Sequence, residues 1–155
     1  MSTVIAAERP DTSDAIKLIT ELDAYLDPLY PSESRHGFPV EKLLTDGVAF
    51  FVTRHRGIPA GCGGIKLFDT AYGEVKRMYV RPEFRHLGLG RLMLQYLAAY
   101  ARQQGINVLR LETGIYQHEA IALYEKFGFQ RIAPFGAYKD DPLSVFYEKR
   151  LDAGE

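Results

Sequence analysis

The sequence predicts an α/β fold, a mixed β-sheet of about seven strands flanked by about four helices on both faces. Three observations carry that prediction. Short β-rich runs alternate with stretches of helical periodicity, and glycine or proline bounds most of them. No internal repeat, low-complexity tract or linker interrupts the chain, so residues 1–155 read as a single domain. The chain has 155 residues, 46% hydrophobic and 25% charged, a size and balance that can bury a real core.

Thr3 to Ala7 is a short apolar run, the first strand. Arg9-Pro10-Asp11 breaks it, and Asp11 or Ser13 can cap a helix. Ala15, Ile19, Leu22 and Leu26 recur at i, i+4, i+7 and i+11, one apolar stripe of that helix, which Pro28 and Pro31 end. Asp27 to Pro39 carries three prolines and no period, so it reads as a long loop of the kind that often binds ligand. Val48 to His55 is a strand, Arg56-Gly57 a turn, and Pro59 to Phe68 its partner. Gly61, Gly63 and Gly64 inside that partner suggest a bulge or a close backbone approach. Tyr72-Gly73 turns the chain into the Glu74–Val80 strand. Leu89, Met93, Leu97 and Tyr100 mark the core face of the next helix, with Gly105 at its C-terminal cap. Val108 to Thr113 is β-like and ends at Gly114. Glu119 to Phe127 is helical with Ala120, Leu123 and Phe127 inward, closed by Gly128. Gln130 to Ile132 and Ser144 to Leu151 are the last two strands. The order is β-α-(α)-β-β-β-α-β-α-β-β, the bracketed helix being short and optional.

Composition narrows the function. A net charge of −1 leaves no basic surplus for nucleic acid or an anionic membrane as main partner. Cys62 is the one cysteine, so no intramolecular disulfide forms and a reducing compartment is expected. The N-terminus lacks a charged-then-apolar pattern and no apolar run approaches membrane-spanning length, so the chain reads as cytoplasmic. No metal ligands are assigned.

The most informative stretch is Gly73 to Gly90. A strand ends at Arg81-Pro82, and Arg85-His86-Leu87-Gly88-Leu89-Gly90 then opens a helix. Unpaired N–H groups at a helix start, together with the helix dipole, favour a phosphate, and glycine lets a ligand approach the backbone. A dinucleotide fold fails because the turn runs Gly88-x-Gly90-x-x-Met93 without a third glycine, and no Walker A sequence exists.

Three segments, in order and at the right spacing, resemble the GNAT family of N-acetyltransferases. They are Arg85-x-x-Gly88-x-Gly90, the strand end Met78-Tyr79-Val80, and Leu123-Tyr124-Glu125-Lys126-Phe127-Gly128-Phe129, which is similar to the family's LYxKxGF segment. The resemblance implies the family fold and acetyl-CoA as cofactor. Its pyrophosphate would lie on the loop from Arg85, through His86, Leu87, Gly88, Leu89 and Gly90, to Arg91. Its pantetheine would be read by backbone groups of Met78, Tyr79 and Val80, with Gln117 near it. The chain departs from the family at His86 and Leu87, where many members carry glycine and a basic residue. That leaves the backbone amides with Arg85 and Arg91 to hold the phosphates.

Acetyl transfer needs a deprotonated amine, a stabilised carbonyl oxygen and a protonated leaving thiol. By resemblance, Glu74, eleven residues before Arg85, is the general base, through a bound water. Tyr124 is the acid at the departing sulfur, and a backbone N–H near Tyr79 or Val80 is the oxyanion donor. Transfer is then direct, in a ternary complex. Cys62 is the rival nucleophile, read here as a small core residue. Glu112 is a second candidate base, although pairing with Arg77 or Arg110 is the favoured reading.

Asp27–Pro39 and Pro134–Pro142 should flank the acceptor. They and nearby strands offer Tyr30, Ser34, Arg35, His36, Phe38, Phe135, Tyr138 and Ser144. Substrate contacts are assigned to Tyr30, His36, Arg77, Glu112 and Tyr138. Mixed aromatic and polar lining suits a small or amino-acid-like primary amine, and Arg35, Arg77 and Arg81 are candidates for holding a carboxylate. The alternatives are a protein N-terminus or lysine as acceptor, and a non-catalytic acyl-CoA sensor. Glu74 and Tyr124 together favour an enzyme. The apolar strand Ser144–Leu151 is a candidate for pairing across a homodimer.

Overall fold

The structure, a computed structural model, describes residues 2–34 and 39–151. Among them, seven strands and four helices follow the expected order. The first half comprises β1 (Thr3–Ala7), α1 (Ser13–Leu26), α2 (Val40–Thr45), β2 (Ala49–His55), β3 (Ile58–Phe68) and β4 (Tyr72–Val80). The second comprises α3 (Leu89–Gln103), β5 (Val108–Gly114), α4 (His118–Phe127), β6 (Gln130–Ile132) and β7 (Ser144–Arg150). The strands form one sheet in the order β1-β2-β3-β4-β5-β7-β6. Every neighbouring pair is antiparallel except β4 and β5.

Strand alternation divides the core. Phe50 and Val52 of β2 pack with Ala15, Leu18, Ile19 and Leu43, so α1 and α2 cover one face. Phe51, between them, faces the other way, with Met93, Leu94 and Leu97 of α3 and Tyr124 of α4. The short α2, too brief for a period, rests on the single buried contact of Leu43.

The cap of α1 is Thr12, whose Oγ1 accepts from the Ala15 amide at 3.2 Å. Asp11, one of the two expected caps, is drawn instead to Arg9 at 2.9 Å, and Ser13 is already helical. Thr12→Ala should therefore cost about 1 kcal/mol, visible as a drop of about 2–4 °C in thermal midpoint. On α4, the expected inward residues Ala120, Leu123 and Phe127 are half-buried, and Tyr124 lies deepest. The pairing of the C-terminal strand across a dimer is corrected by the topology. β7 is an inner strand, bonded to β5 from Ser144 to Arg150 and to β6 from Phe146 to Glu148. Its ladder groups are largely taken within the chain.

Candidate active site

The site begins where two strands part. β4 and β5 pair only at Gly73–Leu109 and Glu74–Arg110. Beyond Lys76 a bulge interrupts β4, and its register with β3 resumes at Tyr79–Cys62 and Val80–Gly61. Arg77 sits in the bulge at φ 55°, a left-handed conformation that a non-glycine residue holds only under restraint. The restraints are visible. Its guanidinium donates to Asp23 of α1 at 2.7 Å and to the Ile19 carbonyl at 3.4 Å. Its own carbonyl accepts from the Cys62 thiol at 3.3 Å. The glycines of β3 make room opposite: a Cβ on Gly63 would meet Met93 at 2.8 Å, and one on Gly61 would meet the Tyr79 carbonyl oxygen at 2.4 Å. The bulge and close approach expected from those glycines are both present.

Two expectations change here. Arg77 commits its charge to Asp23, so it anchors the bulge to α1 instead of clamping a substrate carboxylate. Arg81 likewise pairs with Glu21 at 2.8 Å and holds that carboxyl below its usual range. Cys62 behaves as the core residue expected. Burial pushes its thiol up to about 12, so no thiolate is offered. Cys62 should be silent to a thiol reagent in the native protein and react fully in denaturant.

The splayed strands open on a groove of about 490 Å³ between the start of α3 and α4. Met78, Tyr79 and Val80 form one wall, and Gln117 and Tyr124 belong to the other. Gly88, at φ 78°, precedes α3, and no side chain caps the helix. The first amides of α3 are thus left for a ligand, and the dipole there favours an anion. Nothing lies within 4 Å of where a Gly88 Cβ would stand. Gly90 differs, because its Cβ would meet Leu123 at 2.8 Å. That glycine lets α4 close on α3, a packing role besides the expected ligand approach.

Arg85 donates from Nε to the Val80 carbonyl at 3.2 Å and reaches Glu119 at 3.5 Å. Arg91, also on the groove, stacks over Phe127 at 5.6 Å. His86 and Leu89 line the groove as well. Leu87 does not: it is 53% exposed, because the loop turns it outward beside His86 at φ 69°.

A second, smaller cavity of about 100 Å³ lies deeper between the strands. Leu22, Met78, Gln117 and Tyr124 border both spaces, so they join there. Glu74 and Lys76 enter the inner cavity from β4, Glu112 from β5, and Tyr138 from the β6–β7 loop. Glu74, 3% exposed, accepts on Oε2 from Lys76 Nζ at 3.1 Å and from the Tyr138 hydroxyl at 2.5 Å. Glu112 accepts from Ser144 at 2.8 Å. The arginines expected beside Glu112 are engaged elsewhere, Arg77 with Asp23 and Arg110 with Glu148 at 3.6 Å. Tyr30 stacks on Tyr116, and its hydroxyl accepts the Tyr116 amide at 3.0 Å. Gln117 accepts from the Gly114 amide at 2.9 Å, closing the turn into α4. Burial, with the Glu112 charge added, pushes the Tyr124 phenol well above its ordinary value, so it carries its proton at neutral pH.

Phe135 packs into an aromatic cluster with Tyr72 and Phe146, away from the cavity lining. Arg35, His36 and Phe38 lie outside the described residues. Lys76 is the charged lining residue of this cavity that the sequence reading missed. Its spacing of two from Glu74 on one strand, which puts both on one face, was the available signal.

Splayed parallel strands, an uncapped glycine-led helix and a neutral phenol beside two carboxylates define an acyl-transfer site with room for a phosphate-bearing donor. The profile of the acetyltransferase (GNAT) family matches residues 18–129, and the chain belongs to that family. It is an acetyltransferase whose acyl donor is acetyl-CoA. Among individual relatives, the chain is 46% identical to an "IAA acetyltransferase" of Azospirillum brasilense, over 97% of this chain and 99% of that one. It is 36% identical to the uncharacterized N-acetyltransferase YsnE of Bacillus subtilis, over 88% and 91%. A Klebsiella pneumoniae structure assigned as an acyl-CoA N-acyltransferase superposes with a TM-score of 0.82 at 40% identity, over 97% and 98%. The PaiA N-acetyltransferase of Thermoplasma acidophilum, solved with coenzyme A, shares the fold at a TM-score of 0.77 and 21% identity, over 97% and 100%. Among the described residues no helix is long and apolar enough to cross a membrane.

Proposed function

We propose that this enzyme moves the acetyl group of acetyl-CoA directly to the primary amine of a small, amino-acid-like acceptor, in a ternary complex. The observation that carries the reading is the junction at Tyr124 of the long groove with the small polar cavity. A cavity of about 100 Å³ suits a compact acceptor better than a protein surface. The relative named IAA acetyltransferase also supports a small-molecule acceptor. A cytoplasmic setting suits a chain whose one cysteine, Cys62, is a buried thiol.

Acetyl-CoA, when bound, supplies the thioester and a thiolate leaving group. The amides opening α3 at Gly88 to Arg91 would hold its pyrophosphate, and the backbone of Met78 to Val80 its pantetheine. Glu74 takes the first proton from the acceptor ammonium, directly or through a water, and passes it to solvent. The freed nitrogen lone pair then forms the C–N bond as the C–S bond breaks. Tyr124 gives its phenolic proton to the departing sulfur and regains one from the proton that the new amide nitrogen sheds. A backbone N–H near Tyr79 or Val80 faces the developing oxyanion.

Calorimetric titration with acetyl-CoA, followed by CoA release against a panel of amino acids and small amines, tests this. Tight binding with release for some small amine is the expected result. Acetylation of peptides alone would move the acceptor to proteins, and binding without turnover on any acceptor would make the domain a sensor.

A further inference from the structure

Glu74 is held by its neighbours in a lopsided way. Lys76 Nζ and the Tyr138 hydroxyl both donate to Oε2, and they also approach each other at 3.4 Å. Oε1 accepts from neither, and Glu74 lines the cavity. Tyr138 is itself well supported. Its ring packs edge-on against Phe135 at 5.2 Å and Phe146 at 5.4 Å, and its amide donates to the Phe135 carbonyl at 3.1 Å. The β6–β7 loop thus delivers one hydroxyl to one carboxylate oxygen, 64 residues away in sequence.

We propose that Tyr138 is a positioning residue for Glu74, its hydroxyl fixing Oε2 so that Oε1 is the oxygen that receives the acceptor's proton. The inference rests on the reading of Glu74 as the base. A carboxylate free to rotate has no fixed plane, and the bond from the Tyr138 hydroxyl sets one. The phenol stays a donor, because burial and the Glu74 charge push it far above its ordinary value.

Other charged and titratable groups face Glu74. Lys76 and Tyr72 share its side of β4, and Lys66 is its partner across β3. Arg110 is its partner across β5, where Glu112 follows on the same side. All of them remain in Tyr138→Phe, which removes a single oxygen and keeps the aromatic packing.

The test compares the kinetics of wild type, Tyr138→Phe and Glu74→Gln across pH. Tyr138→Phe is expected to lower kcat about tenfold with the fastest small amine of the panel. The acid limb of kcat/KM, measured with the same amine, should move to higher pH. The KM for acetyl-CoA and the thermal midpoint should stay near wild type. An unmoved acid limb with wild-type kcat overturns the role of Tyr138. A limb that persists in Glu74→Gln overturns the base itself, a separate failure.

Discussion

Glu74→Gln lowers kcat/KM by about 10²–10⁴-fold while acetyl-CoA binds as before. The substitution keeps the shape of a side chain that is 3% exposed and removes its negative charge, and with it the ability to take a proton. Its amide still accepts on one atom from Lys76 and Tyr138, so packing around the cavity survives. Calorimetry with acetyl-CoA separates binding from turnover, since Glu74 lines the inner cavity and not the cofactor groove. An unchanged kcat/KM across the pH range would remove Glu74 from the chemistry and turn attention to Glu112, which lines the same cavity.

Gly61→Ala loses both stability and cofactor affinity, by an expected 3 kcal/mol or about that in folding. The added Cβ would stand 2.4 Å from the Tyr79 carbonyl oxygen and 3.3 Å from the Val80 Cα, both backbone atoms of β4. Neither can step aside without moving the strand end that borders the groove. The thermal midpoint should fall by about 6–12 °C. Gly88→Ala provides the contrast. Its Cβ meets nothing within 4 Å, and its cost is the left-handed φ of 78° alone, about 1–2 kcal/mol. A Gly61 variant as stable as the Gly88 variant would mean that β4 yields freely at its end. The restraint assigned to the bulge would then be wrong.

The cofactor side of the site was legible because its signals are local. Gly88 with Gly90, the strand end at Met78 to Val80, and the segment around Tyr124 are each a run of only a few residues. Backbone geometry turns such spacings directly into a turn, an edge or a helix face. The Leu87 side chain turns outward, in keeping with a loop read through its backbone amides. The acceptor side was legible only as a set of candidate residues. The bulge at Arg77 adds one residue to β4 and resets the alternation, so counting by twos no longer says where Arg77 points.

The sequence by itself determined the order of elements, the glycine-led start of α3, the glycines that mark a bulge and the family. Each follows from chain-local conformational preference and from patterns that repeat within one element. Only the tertiary structure decided which charges meet. Arg77 finds Asp23 across 54 residues, and Tyr138 finds Glu74 across 64. Lys76 joins Glu74 in the same cavity, and Gly90 makes way for Leu123. Those pairings depend on which face each strand turns inward and how far two strands part, and that geometry exists only once the sheet has formed.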